Sequence, residues 1–187
     1  MVDEQLDPEE ILRLEFEYAN KTAEQAQDDR ATVINLYLLL VGGVGSIIVG
    51  LGQSNDFSLP RGVYAGVFAL LGIVGFFILF QLIRLRQAWY DSVLTMNRIK
   101  DFYVDKFPEL TKAFRWRTQT IPAPGKLGTI TFNLALLVAI IDSVAMGVAA
   151  FFTNLRLANN EYAFAIFIGA LFLLWQIWFY FFQLGEK

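Results

Sequence analysis

The chain has 187 residues, of which 56% are hydrophobic and 18% charged, and its formal net charge is −3. Soluble domains average about 45–50% apolar residues, so this composition excludes an ordinary soluble domain. The chain contains no cysteine and no histidine. Disulfides, thiol catalysis and iron–sulfur clusters are therefore excluded, and the commonest ligands of haem and transition metals are missing. We expect no cofactor and no metal.

The predicted elements begin with a long helix over residues 8–52. Asp7 can cap this helix, Pro8 suits its first position, and Glu10 sits where a capping box places an acid. No glycine or proline interrupts the segment before the first apolar span, residues 33–51. We therefore expect one continuous helix that begins outside the membrane and then crosses it as the first span.

Small residues recur along the first two spans. The first span has Gly42, Ser46 and Gly50 at a spacing of four. The second span has Gly62 and Gly66, then Ala69, Gly72 and Gly75. In lipid, small residues allow helix backbones to approach closely, so they mark helix interfaces. We expect spans one and two to form the packed interior or a subunit interface. The partner of the first span is either the second span of the same chain or the first span of the next.

The second predicted helix covers residues 62–107 and contains the second span, residues 62–83. No glycine or proline occurs between that span and Pro108, which ends the helix. The two helices extend beyond the membrane by nearly equal lengths, about 36 Å each. Equal extensions predict one long antiparallel hairpin, with half of its length in the membrane and half in the cytoplasm.

The charges on the two extensions are complementary. Residues 1–32 hold ten acids and three bases, whereas residues 84–127 hold nine bases and four acids. Exposed pairs contribute about 0–1 kcal/mol each, so they would set the register more than the stability. The alternatives are solvated faces without pairing, or pairing between subunits. The register predicts these pairs: Asp28 and Asp29 with Arg84 and Arg86, Glu15 and Glu17 with Arg98 and Lys100, and Glu10 with Lys106.

The sequence of residues 108–126 predicts a short helix followed by a loop rich in proline and glycine. Arg115, Trp116 and Arg117 alternate basic and aromatic side chains. This mixture suits the headgroup layer of an anionic inner leaflet, and we expect it to contact lipid. The patch is small and near the bilayer, so we expect no nucleic-acid binding.

The third span, residues 127–152, carries the single acid found within the predicted spans, Asp142. Alanines flank it at helical spacing, which predicts that it faces a close helix contact. An acid inside the membrane costs about 2.5–3.5 kcal/mol on insertion scales and suggests a function. Two interpretations stay open. Asp142 is either an ion- or proton-linked residue along a path, or a protonated acid that donates a hydrogen bond to a neighbouring helix.

The fourth span, residues 163–183, is bulky and aromatic, with Trp175, Trp178 and Tyr180 toward its end. We expect this span to face lipid. The basic residues divide thirteen to two between the two sides of the membrane, Lys187 being one of the thirteen. This asymmetry predicts cytoplasmic termini and a cytoplasmic connection at 84–126 in a bacterial inner membrane. Arg61 and Arg156 would lie in the two external loops.

Two stretches resemble known bacterial membrane proteins: "EYANKTAEQAQDDRATVINLYLLLVGG" and "LRQAWYDSVLTMNRIKDFYVDKFPEL". They are similar to RipA-type octameric membrane proteins and to SLATT-type membrane effectors of bacterial conflict systems. Together they cover about 80 residues. The spacing from arginine to asparagine is five here and four in the RipA-type pattern. The residues that carry the resemblance are Arg30, Asn35, Tyr37 and Leu38 in the first stretch and Trp89 and Asn97 in the second.

The resemblance implies a homo-oligomer with a pore or scaffold role, and it transfers no catalytic residue. The sequence itself contains no phosphate-binding glycine loop and no nucleophile–base pair. We therefore expect an all-α, integral membrane protein of four helices that is not an enzyme. Its predicted role is a homo-oligomeric pore or membrane chamber. The alternative is a scaffold or accessory subunit of a larger membrane complex.

Overall fold

The computed structural model describes residues 7–53, 59–155, 157 and 160–185. Within these residues the protein is helical and has no strand, which confirms the all-α, four-helix fold. Two short 3₁₀ helices connect the second and third α-helices. The four α-helices are α1 (Pro8–Gln53), α2 (Arg61–Lys106), α3 (Ile130–Phe152) and α4 (Glu161–Gly185), and the 3₁₀ helices are Pro108–Lys112 and Thr118–Thr120.

Local chemistry explains where the helices begin and end. Asp7 accepts a hydrogen bond from the backbone amide of Glu9 at 3.0 Å, as a capping residue does. α2 ends immediately before Pro108, which has no amide proton to continue the ladder. α3 begins three residues later than predicted. Gly128 has a φ of 75°, which a right-handed helix cannot contain, and Thr129 then caps the helix.

All four helices are long and apolar enough to cross a membrane, as in a multi-pass membrane protein. They pack in chain order, with α1 against α2, α2 against α3 and α3 against α4. In their apolar windows, α3 and α2 are the most buried helices and α1 is the least. Among the described residues the most buried spans are therefore those of α2 and α3, and a subunit interface on the first two spans stays a prediction. The predicted outer loops fall largely on residues 54–58, 156, 158 and 159, outside the described residues, as does Lys187.

The closest helix approaches use Gly75 of the predicted small residues, together with Gly147 and Gly169. A Cβ on Gly75 of α2 would overlap with the carboxyl group of Asp142 on α3. Gly147 and Gly169 let the backbones of α3 and α4 come together, because a Cβ on Gly169 would lie 2.8 Å from the carbonyl oxygen of Ser143. In contrast, a Cβ would meet no atom within 4 Å at Gly42, Gly50, Gly62 or Gly66.

We call residues 8–32, 84–106 and 108–126 the collar, since they extend from one end of the four-helix bundle. The antiparallel register of α1 and α2 brings Lys106 to Glu9, with 3.5 Å between the ammonium and the carboxylate. The predicted partner was Glu10. Glu10 instead binds Arg13 on its own helix at 2.6 Å, and Glu17 binds the same arginine at 2.8 Å.

The other predicted hairpin pairs do not form within the described part of the chain. Arg86 is buried and binds the carbonyl oxygen of Pro124, while Arg84 lies over the ring of Phe80. Lys100 donates a hydrogen bond to Asn97 at 3.2 Å, which occupies it on its own helix. Pairing between subunits stays a prediction. The residues without the predicted partner are Asp28, Asp29, Glu15, Glu17, Arg84, Arg86, Arg98 and Lys100.

Candidate functional site

The site forms around Asp142, which is fully buried in the middle of α3. α1 supplies the Tyr37 hydroxyl, which donates a hydrogen bond to Oδ1 of Asp142 at 2.5 Å. α2 contributes the open space at Gly75 that the carboxyl group occupies. Oδ2 of Asp142 has no hydrogen-bond partner among the described residues. Three helices therefore meet at one acid, and one of the two oxygens of its carboxyl group has no hydrogen-bond partner among the described residues.

A second buried polar group lies on α4. Gln176 is 0% exposed, and neither its amide nitrogen nor its amide oxygen has a partner within the described chain. Tyr180 follows one helical turn later, is also buried, and has an unpartnered hydroxyl. A small cavity of about 10 Å³ touches both side chains and is lined by apolar residues of α2, α3 and α4. One water molecule needs a cavity of about this size.

The collar end of the site contains Arg86, whose side chain is buried. Its Nε donates a hydrogen bond to the carbonyl oxygen of Pro124 at 3.2 Å, and its guanidinium lies 4.5 Å from the ring centre of Trp89. Burial lowers the pKa of Arg86, but an arginine retains its charge at any physiological pH. The Tyr180 side chain lies near the Arg86 guanidinium at this end of the bundle.

Arg30 of α1 lies at the same end of the bundle. Its guanidinium donates a hydrogen bond to the hydroxyl of Thr131 at the start of α3, at 2.5 Å. Burial lowers the pKa of Arg30 as well, because its partly buried guanidinium loses part of its hydration. The partly buried Arg30 and the buried Arg86 thus lie at the boundary between the bundle and the collar.

The predicted lipid-binding residues lie farther along the collar. Arg117 forms an ion pair with Asp101 of α2 at 2.7 Å, and the backbone amide of Thr118 donates to the same carboxylate at 3.3 Å. Thr118 and Arg117 hold the pKa of the Asp101 carboxyl below its usual range. Asp101 is about 27 Å along α2 from the end of the predicted span, well beyond a headgroup layer. Arg115 and Trp116 are at the same level, with the guanidinium 5.6 Å from the ring centre.

Of the predicted packing residues, Gly42, Ser46, Gly50 and Gly62 are exposed, and Gly66 lines an open groove between α2, α3 and α4. Ser46 bonds to the carbonyl oxygen of Gly42 at 2.8 Å on its own helix, and the surroundings of Gly42, Gly50, Gly62 and Gly66 are open. Of the two partners considered for the first span, the second span of the same chain does not contact these positions. A neighbouring subunit is the alternative that stays open.

Sequence reasoning identified Asp142 and missed the groups that surround it. Tyr37 sits in a leucine-rich run and is 105 positions from Asp142, so no local pattern connects the two. Gln176 and Tyr180 had a usable signal, because they are four residues apart and therefore share one face of α4. The predicted lipid-facing aromatic side of α4 includes the exposed Trp178, whereas Tyr180 points inward.

The arrangement can hold protons and water, and among the described residues no group of three or more acids forms a metal site. No protein family, curated protein or solved structure gives a significant match to this chain. The resemblance to the RipA-type and SLATT-type membrane proteins therefore stays a prediction.

Proposed function

We propose that the chain is a non-enzymatic, homo-oligomeric protein of the bacterial inner membrane, with both termini in the cytoplasm. Its subunits assemble through the membrane half of α1, and the assembly encloses a pore or a membrane chamber. The collar forms the cytoplasmic entrance. The resemblance to RipA-type and SLATT-type proteins supports an oligomer, and the distribution of basic residues supports the orientation.

The observation that carries this proposal is the unoccupied small-residue face of α1. Gly42, Ser46 and Gly50 share this face, and open space surrounds the Cβ positions of both glycines. A glycine inside a helix costs about 0.5–1 kcal/mol relative to alanine. Helices in lipid recover such a cost when small residues let two backbones approach. A neighbouring copy of α1 supplies that contact, since α1 is also the least buried helix of the bundle.

The test replaces Gly42 by leucine and measures the mass of the assembly by light scattering in detergent and in lipid nanodiscs. We expect smaller assemblies, because the leucine side chain blocks the approach between subunits. The fold of the subunit should not change, since no atom of its own chain lies within 4 Å of the new Cβ. Gly45→Leu is the comparison variant: Gly45 is equally open and lies about 100° around α1 from Ser46, the middle residue of the stripe, so it should lower the mass less than Gly42→Leu. Unchanged mass for Gly42→Leu would overturn the proposed interface.

Electron cryomicroscopy of the nanodisc sample tests the pore. A ring with a continuous water-filled centre supports conduction, whereas a centre sealed by side chains or filled by lipid excludes it. Asp142 does not contribute to such a central path, because it is fully buried inside its own subunit. The wall of the path is therefore expected to come from the exposed face of α1.

A role as scaffold or accessory subunit is the second candidate, and a groove between α3 and α4 favours it. The groove has a volume of about 520 Å³, and its lining is almost entirely apolar, from Ile140 on α3 to Leu173 on α4. A helix of a partner protein fits such a surface in lipid. Purification of a stable homo-oligomer without any partner would count against this role.

A further inference from the structure

The buried polar groups of the subunit follow one another along the bundle. Asp142 lies one turn along α3 from Ala139, and Gly75, which faces Asp142, lies one turn along α2 from Leu79. Ala139 and Leu79 both line the cavity beside Gln176. One helical turn is about 5.4 Å, a separation that a single bridging water spans.

The series continues from the cavity to the collar. Tyr180 lines the same cavity as Gln176 and lies near Arg86. Arg86 binds the carbonyl oxygen of Pro124 in the connection that returns along α2. From the level of Gly75 to Arg86 the distance along α2 is about 16 Å. We call Asp142, Gln176, Tyr180 and Arg86 the polar column.

The unused hydrogen-bonding groups of the column need partners. Each buried polar group that is left without a hydrogen-bond partner lowers the stability of the fold by about 1–3 kcal/mol. Four atoms of the column have no hydrogen-bond partner among the described residues: the amide nitrogen and oxygen of Gln176, the Tyr180 hydroxyl and Oδ2 of Asp142. Buried waters typically make about three hydrogen bonds to groups of this kind. A water in the cavity of about 10 Å³ would bind Gln176 and Tyr180 together.

We infer that each subunit contains a proton-exchange path, in which a water held by Gln176 connects the carboxyl group of Asp142 to Tyr180 and the collar. In the exchange each group gives one proton and receives one, so the charge of the column does not change. Asp142 passes its proton from Oδ2 to the water, the water passes one of its own to the Tyr180 hydroxyl, and Tyr180 passes one to a second water beside Arg86, the partner that its buried hydroxyl lacks. The same transfers then run in reverse and return a proton from the second water to Oδ2, so Asp142 ends protonated as it began. Gln176 transfers no proton and acts as a positioning residue.

The surrounding elements supply few competing groups. α3 has no titratable side chain other than Asp142. Tyr37 of α1 faces Asp142 and already donates to its Oδ1. The remaining charged or titratable groups of the column are Arg86 from α2 and Tyr180 from α4. The path is independent of the oligomer, because all of its members lie inside one subunit.

The test follows the carboxyl C=O stretch by infrared spectroscopy after transfer of the protein in nanodiscs from H₂O to D₂O. The band of a protonated Asp142 is identified by its loss in Asp142→Asn. In Gln176→Leu we expect the hydrogen–deuterium exchange of this band to slow at least tenfold, because the water loses its binding group. Gln81→Leu is the matched control: Gln81 lies on the exposed side of α2 and the same substitution should leave the rate unchanged.

Tyr180→Phe keeps the ring and removes the hydroxyl, so it tests the path even if Gln176→Leu does not fold. It should slow the exchange as well. Equal exchange rates in wild type, Gln176→Leu and Tyr180→Phe would overturn the inference, because Asp142 would then exchange through general opening of the bundle. The absence of any carboxyl band that depends on Asp142 would also overturn it.

Discussion

Replacing Gly75 by alanine should destabilise the subunit, because the new Cβ would overlap with the carboxyl group of Asp142. Overpacking a close contact costs about 1–3 kcal/mol. Displacing the carboxyl group also disrupts its hydrogen bond with Tyr37, and such bonds between membrane helices average about 0.6 kcal/mol. The higher helix propensity of alanine offsets about 1 kcal/mol of this destabilisation. The net loss should be about 0.6–2.6 kcal/mol in the free energy of unfolding.

Equilibrium unfolding in mixed detergent micelles, followed by circular dichroism, measures this change. Gly42→Ala is the matched control, since it gains the same helix propensity and meets no atom within 4 Å; it should be neutral or stabilising. Asp142→Ala removes the obstacle, so Gly75→Ala should cost little in that background. A Gly75→Ala variant as stable as the wild type, or one equally destabilised with and without Asp142, would refute the close α2–α3 contact.

Two further changes test the site and the collar. Tyr37→Phe leaves Oδ1 of Asp142 without its donor and should cost about 1 kcal/mol in the same unfolding assay; an unchanged stability would contradict the hydrogen bond. The pKa of Asp101 is lowered in the folded state, so the Asp101–Arg117 contact stabilises the collar above the usual value of 3.8 and is lost as the pH falls below it. Trp116 fluorescence should report this acid transition, and Asp101→Asn should abolish it.

The long helices were predictable because their signals are local. The absence of glycine and proline between the span and Pro108 indicates that α2 continues beyond the membrane, and the structure ends this helix at Lys106. The same argument predicts α1 from Pro8, where the structure begins it. Helix bounds depend on residues within one or two turns, so a single sequence contains the necessary information.

Helix rotation was not predictable, because it depends on packing between distant segments. Gly42 and Gly75 belong to similar runs of small residues, yet one faces open space and the other faces Asp142. The side that a span presents is set by the shape of all its neighbours. For the same reason Arg86 was expected to pair with α1, although the structure turns it toward Pro124.

The continuous 46-residue helices give the protein a mechanical property. Each is a rod of about 69 Å that passes from the membrane into the collar, with no proline inside the helix beyond its first turn. A rod of this kind acts as a lever. A tilt of about 10° within the bilayer would displace the far end of the collar, near Glu9 and Lys106, by about 6 Å. Strain or thickness changes in the membrane would thus be converted into displacement outside it.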